Sequence, residues 1–228
     1  MKLIKLSLVA VLAVTVAFAD EKSDFGVSAN VAMTSNYVWR GMTQSDNSPA
    51  IQGGFDLDYK GVYIGVWGSN IKIGNASMEF DSYAGYANEI FGIGYDLGYI
   101  QYAYPNDTKN LNFGEAYVGL SYDFKVLEIS AKYSAGVDTN DVGVVGAEWE
   151  PENCVEGSVS VPLPMGISID ATVGNYVHTG MFYSASVSKT FDKIDISLAY
   201  TGIDKDNPSN DITIKDEDNV VVTISTSF

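Results

Sequence analysis

The chain has 228 residues, a formal charge of −16, 15 Tyr, 22 Gly, one Cys and one His. So acidic a balance excludes a nucleic-acid surface, which needs a basic face. A lone cysteine excludes an internal disulfide framework, and one Cys with one His excludes a Cys/His transition-metal centre.

Met1 to Ala19 places Lys2 and Lys5 ahead of an apolar run, Leu6 to Phe18, which ends in Ala17-Phe18-Ala19. The polar stretch Asp20-Glu21-Lys22-Ser23-Asp24 follows. A positive start, a short apolar stretch and a small-x-small end are the parts of a secretory signal peptide. Residues 1–19 are therefore expected to be cleaved, leaving 20–228 as a single domain in an oxidising compartment. A lipid anchor needs a cysteine at the cleavage point, where Asp20 stands; Cys154 reads as an unreactive passenger. No later run reaches the eighteen apolar residues of a helical span.

From Phe25 the chain alternates with a period of two, the signature of strands with one apolar face. Phe25, Val27, Ala29, Val31 and Met33 begin the first strand, which is expected to continue through Tyr37-Val38-Trp39-Arg40 to a polar loop at 43–48. Ile51, Phe55, Leu57 and Tyr59 oppose Gln52, Asp56 and Asp58, and Lys60-Gly61 turns the chain into Val62, Ile64 and Val66. The same alternation recurs around Met78–Tyr86, Phe91–Tyr99, Ala116–Tyr122, Leu127–Tyr133, Val155–Leu163, Ile167–Val173, Tyr183–Val187 and Ile194–Tyr200. The last ten residues, Asn219 to Phe228, set Val220, Val222, Ile224, Thr226 and Phe228 on one face and hydroxyls on the other.

Short connections (Lys60-Gly61, Asn88-Glu89, Phe124, Pro164-Met165-Gly166, Asp192-Lys193) alternate with longer polar ones near 43–48, 71–76, 105–111, 135–151, 176–180 and 203–218. Bacterial outer-membrane barrels have short periplasmic turns and longer extracellular loops, whereas a β-sandwich has no reason for such alternation. Val142–Trp149 looks like a thirteenth strand, but bacterial barrels have even counts with both termini periplasmic. Val142–Glu150 is therefore assigned to an extension of the following strand or to its loop. The expected fold is an all-β, antiparallel, up-and-down transmembrane barrel of 12 strands, with 10 as the alternative; 12 allows about 17 residues per strand and connection, enough for spans of about 9–11 residues.

In that topology the polar faces turn inward. They carry Asp56, Asp58, Glu79, Asp81, Asp96, Glu115, Glu128, Asp170 and Asp195, opposed chiefly by Arg40 and Lys132. The pore-lining candidates are Arg40, Asp56, Glu79, Asp81, Asp96, Glu115, Glu128, Lys132 and Asp170. An acidic, water-filled interior favours cations. Inward Tyr63, Trp67, Tyr83, Tyr102 and Tyr117 narrow it, and inward glycines such as Gly54, Gly65 and Gly98 widen it. Arg40 is expected either to reach Asp46, Asp56 or Asp81 and hold the first loop, or to snorkel to lipid headgroups. His178 lies on a loop; a hydrolase would need it beside a serine such as Ser184 or Ser186. The loop Asp204 to Asp211 is rich in oxygen ligands but lacks EF-hand spacing. No catalytic set, metal or cofactor is expected.

The run Ser35-Asn36-Tyr37-Val38-Trp39-Arg40-Gly41-Met42-Thr43-Gln44-Ser45-Asp46-Asn47-Ser48-Pro49-Ala50-Ile51-Gln52-Gly53-Gly54-Phe55, with Gly65-Val66-Trp67-Gly68-Ser69-Asn70, resembles the TorF family of porin-like proteins. Tyr83-Ala84-Gly85-Tyr86 and Gly98-Tyr99 are similar to that family too, although Trp39 stands where it often has Phe. The resemblance implies a Gram-negative outer-membrane barrel with a porin-like role and carries no catalytic residue. The combined expectation is a channel for passive, cation-biased diffusion of small hydrophilic solutes. A plugged barrel with a structural or surface role is the alternative, and an outer-membrane hydrolase the less favoured one. Expected partners are outer-membrane lipid and lipopolysaccharide, the solutes, and the barrel assembly machinery through the strand ending at Phe228. Thr226 departs from the aromatic or aliphatic residue commoner at that place.

Overall fold

Alternation of period two cannot be satisfied by a sheet with open edges in an apolar medium, because each edge leaves a row of unpaired backbone groups. The computed structural model, which describes residues 25–107, 111–138, 151–206 and 215–228, shows how this chain removes its edges. β1 (Phe25–Thr34) is followed by a two-residue pair, β2 (Val38–Trp39) and β3 (Met42–Thr43), that stands apart from the wall. The wall continues with β4 (Ala50–Tyr59), β5 (Val62–Ile73), β6 (Ala76–Ile90), β7 (Ile93–Ala103), β8 (Phe113–Asp123) and β9 (Glu128–Asp138). It is completed by β10 (Cys154–Leu163), β11 (Ile167–Tyr176), β12 (Gly180–Phe191), β13 (Ile194–Lys205) and β14 (Glu217–Ser227). These 12 wall strands each lie antiparallel to their chain neighbours, and β14 closes the barrel against β1 through Asn30–Thr34. At the seam the Phe228 N–H donates to the Ala29 carbonyl at 2.9 Å, and Ala29 returns the bond at 3.2 Å.

The two faces follow the expected registers. On β14, Asn219 and Val221 are buried inside while Val220, Val222 and Ile224 are exposed outside. Every wall strand contributes at least one exposed large apolar side chain to the outer face, for example Val27, Ile51, Ile64, Phe80, Leu97, Leu120, Ile129, Val155, Ile169, Val187, Leu198 and Val222. A soluble monomer rarely exposes a contiguous apolar patch above a few hundred Å²; an encircling belt is the pattern of a barrel that crosses a bilayer. Among the described residues no helix is long and apolar enough to cross a membrane.

Four expectations are corrected. β1 does not run on to Arg40: it stops at Thr34, and residues 35–49 form an inward-folded loop. The turn expected at Asn88-Glu89 falls at Phe91-Gly92, with β6 extended to Ile90. A two-residue hairpin turn of type I′ has positive φ at both central positions; Phe91 and Gly92 supply it at 53° and 81°, while Asn88 spends its side chain on the Tyr86 hydroxyl and the Glu89 N–H. The connection expected over 71–76 shrinks to Gly74-Asn75, because β5 and β6 pair as far as Ile73 and Ala76. Together with the three residues between β11 and β12, this makes the long-loop end a mixture of long and short connections. Turns at Lys60-Gly61, Pro164–Gly166 and Asp192-Lys193 lie where expected. The segment Val142–Glu150 lies outside the described residues.

Candidate functional site

The site is built by the first loop. Asn36 organises its base: its side-chain oxygen accepts from Thr43 Oγ1 at 2.7 Å and Ser45 Oγ at 3.0 Å, and its amide donates to Asn47 Oδ1 and Asn219 Oδ1 at 3.1 and 3.0 Å. Ser45 Oγ also takes the Tyr37 N–H at 3.0 Å, and Glu217 takes the Thr43 N–H at 2.9 Å. These bonds fold β2 and β3 back on each other around Arg40 and Gly41, whose φ values are 48° and 79°. A Cβ at Gly41 would sit 2.2 Å from the Gly202 carbonyl oxygen, so only glycine lets the loop tip rest against β13.

Arg40 is carried from that tip across the interior. Its Nη1 and Nη2 donate to Glu115 Oε1 and Oε2 on β8 at 2.6 and 2.9 Å, a two-pronged charge-assisted pair. The guanidinium carbon lies 4.3 Å from the Trp39 ring centre and 4.8 Å from that of Tyr176 on β11. Burial by itself works against the charged guanidinium, but Glu115 outweighs it and raises the proton affinity of Arg40. Trp39 meets Tyr102, Phe113 and Tyr176 edge-on, with centroids 5.9, 6.1 and 5.5 Å away. Tyr37 reaches the other wall, its hydroxyl donating to Glu79 Oε1 at 2.9 Å while its ring meets Trp67 edge-on. Loop 1 is thus pinned to β6, β8, β11, β13 and β14 at once, across the long-loop half of the barrel.

The Arg40 expectations are corrected accordingly. Its partner is Glu115 rather than Asp46, Asp56 or Asp81, and it is buried rather than snorkelling outward. Asp46 pairs instead with Lys72, and Asp56 accepts from the Tyr83 hydroxyl. The reason is reach: once loop 1 turns inward, the tip faces β8, the far side of the barrel from its own strand.

The other acidic candidates also project inward, in two environments. Asp96 accepts from the Tyr63 hydroxyl at 2.7 Å, and Tyr63 is bonded in turn to Tyr117. Lys132 reaches Glu156 at 3.1 Å and lies over the Tyr117 ring. Tyr83 and Tyr63 are buried beside them, so β4 to β9 present phenols and carboxylates. From β10 onward the inner face is largely hydroxyl. Asp170 accepts from Ser160 and Ser168 at 2.7 and 3.1 Å, Ser158 bonds Thr172 at 2.8 Å, and Thr190 bonds Asp195 at 2.5 Å. Glu128, near the short-turn end, is only half-buried. Asp81 is fully buried, and neither of its oxygens meets a hydrogen-bond donor among the described residues.

His178 pairs with Glu152 at 3.2 Å on the exposed β11–β12 connection. Ser184 and Ser186 lie four and six residues down β12 from Gly180, about 13 and 20 Å at roughly 3.3 Å per residue. The expected contact of a hydrolase is therefore not formed. Cys154 is buried beside Tyr176, Phe182 and Ile203. Reasoning from alternation missed Asn36, Tyr37, Trp39 and Tyr176. The available signals were Asn36, a side chain prone to bond its own backbone, and Arg40-Gly41 as a turn.

Solved structures share this architecture at low identity. The KdgM porin superposes with a TM-score of 0.61 at 9% identity, covering 88% of this chain and 99% of that one. The NanC porin gives 0.56 at 13% identity over 89% and 99%. Outer membrane phospholipase A from Escherichia coli gives 0.50 at 9% identity over 88% of each chain. These likenesses establish the fold. No curated protein matches the sequence. With residues 18–228 matched, the chain belongs to the Gcw_chp family, described as bacterial proteins of unknown function.

Proposed function

We propose that this barrel is an outer-membrane, porin-like channel that passes small hydrophilic solutes by diffusion and favours cations, with loop 1 as its constriction. One observation carries the cation bias. The inner-face cations Arg40, Lys132 and Lys205 are each matched by a carboxylate, Glu115, Glu156 and Glu217. Asp56, Asp58, Asp81, Asp170 and Asp195 face inward with no ion pair among the described residues. The excess charge lowers the energy of a cation in the lumen and raises that of an anion.

The membrane assignment rests on the encircling apolar belt, and residues 1–19 would direct export. The likeness of residues 35–70 to the TorF family points the same way. The strand ending at Phe228 would be read by the assembly machinery, and the outer belt would meet lipid and lipopolysaccharide. Planar-bilayer recording of the refolded protein tests the channel. Discrete conductance steps with a cation-selective reversal potential are expected under a KCl gradient; anion selectivity overturns the bias. A second reading, a plugged barrel, is favoured by loop 1 itself, since Arg40 spans the interior to Glu115. It predicts a silent wild type together with a conducting Arg40→Ala variant.

A further inference from the structure

The inner face of β8 to β14 carries its hydroxyls in rows that cross the strands in direct register. Ser121, Ser130, Ser158, Thr172, Ser184 and Thr201 are successive cross-strand partners on β8 to β13, and Thr201 pairs with Asn219 of β14. A second row runs through Ser168, Ser188, Ser197 and Thr223 on β11 to β14 and passes to Thr34 of β1. Strands tilt in a closed barrel, so a row of directly paired residues climbs the wall. Ser121 and Ser168 lie near the short turns, whereas Asn219 and Thr34 lie at the long-loop end. Both rows finish on one residue of loop 1. The Asn36 amide donates to Asn219 Oδ1 at 3.0 Å, and the Asn36 carbonyl accepts from Thr34 Oγ1 at 2.9 Å.

Burial changes along the first row. Ser121, Ser130, Ser158 and Thr172 are half-buried, as are Ser168, Ser188, Ser197 and Thr223 of the second row. The barrel is closed and these side chains point inward, so their exposed part meets the lumen. Toward loop 1, Ser184, Thr201 and Asn219 fall to 7%, 6% and 8% exposure. Ser184 stands at the change, and its Oγ has no hydrogen-bond partner among the described residues. Elsewhere the rungs bond one another: Ser158 with Thr172 and Ser168 with Ser188 at 2.8 Å, and Thr223 with Thr34 at 3.0 Å.

A hydroxyl both donates and accepts, so each of these bonds exchanges for one to a solute hydroxyl with little change in energy. Passage through a pore needs binding favourable enough to admit a solute and weak or multiple enough to release it. Neutral hydroxyls on strands about 4.8 Å apart supply many weak sites of one kind. A molecule with hydroxyls on neighbouring carbons meets several rungs at once. We infer that the two rows form a track for neutral polyhydroxylated solutes, sugars and polyols, leading from the short-turn mouth to Asn36. The inference rests on the barrel being a channel and names, among its small hydrophilic solutes, the class that this wall recognises. A solute at the end of the track meets the Asn36 bonds that hold the constriction.

The test is swelling of lipid vesicles that hold the refolded full-length protein, in isotonic glucose and in isotonic tetraethylene glycol, each corrected for protein-free vesicles. The glycol is a neutral probe of similar size with hydroxyls only at its ends. Glucose entry is expected to be roughly threefold faster or more, as one net hydrogen bond gained in the lumen implies. Ser158→Ala with Thr172→Val breaks the first row, and Ser188→Ala with Thr223→Val breaks the second, neither adding charge. The glucose-to-glycol ratio should fall toward unity in either variant, so one decides if the other fails to fold. Equal rates in the wild type, or an unaltered ratio in every variant that folds, overturns the track. Bilayer recordings separate this from the channel proposal. A barrel that conducts potassium chloride but shows no preference for glucose loses the track and keeps the channel. A barrel that is silent in potassium chloride and admits neither probe loses both.

Discussion

Arg40 and Glu115, 75 residues apart in sequence, meet inside the barrel through two hydrogen bonds of 2.6 and 2.9 Å. Because both side chains are buried, removal of one leaves the other as an uncompensated charge, a loss of roughly 3–5 kcal/mol. Arg40→Ala should therefore release loop 1 and raise single-channel conductance, whereas Arg40→Ala with Glu115→Gln should recover much of the lost stability. Arg40→Lys should rescue poorly, because an ammonium cannot reproduce the two-pronged geometry. Urea unfolding in micelles of the wild type, these three variants and Glu115→Gln alone, alongside bilayer traces, measures both effects; additive losses in the double variant would overturn the coupling of the pair.

Gly41 makes a second, backbone-level prediction. Its φ is +79°, and an added Cβ would lie 2.2 Å from the Gly202 carbonyl oxygen. Gly41→Ala should lift the loop tip off β13 while leaving the wall paired, at a local cost of about 1–3 kcal/mol for the strained position. Limited proteolysis should then cut within residues 35–49 faster than in the wild type, with unchanged heat-modifiable migration of the barrel.

On the outer face, Val222 of β14 lies opposite Leu198 of β13, and both are exposed. Val222→Arg places a charge in the apolar belt and should destabilise the barrel by about 2–4 kcal/mol if the position is near the bilayer midplane. Thr223→Arg, one residue along and turned inward, should cost less. Folding titrations into lipid vesicles distinguish the two, and equal losses would contradict the assigned faces.

Phe228 exchanges both backbone bonds with Ala29 at the seam, at 2.9 and 3.2 Å. Removing Phe228 should lower the yield of assembled barrel in cells more than it lowers the stability of barrel refolded in vitro. Replacing Thr226 with Tyr should raise that cellular yield. Quantifying heat-modifiable barrel in outer-membrane fractions checks both expectations.

Much of the wall was legible in order because the side-chain period of a strand is local. Val220, Val222 and Ile224 need no distant partner to be read as one face, and the parity of strands follows from where the chain must return. Turn positions were legible where glycine forced them, as at Lys60-Gly61, and slipped at Phe91-Gly92. There a non-glycine residue takes positive φ only because the extended β6–β7 pairing requires it.

Local periodicity therefore determined the barrel, its outer face and its acidic interior. The tertiary structure alone decided the fate of loop 1. Tyr37-Val38-Trp39-Arg40 alternates as a strand does, yet it leaves the wall because its partners, Glu79, Glu115 and Tyr176, lie on other strands. No pattern within the segment records those partners; only the closed curvature of the barrel brings them to one point. It also decided which carboxylates are matched: Glu115 has its guanidinium, and Asp81, on the same acidic face, is left without one.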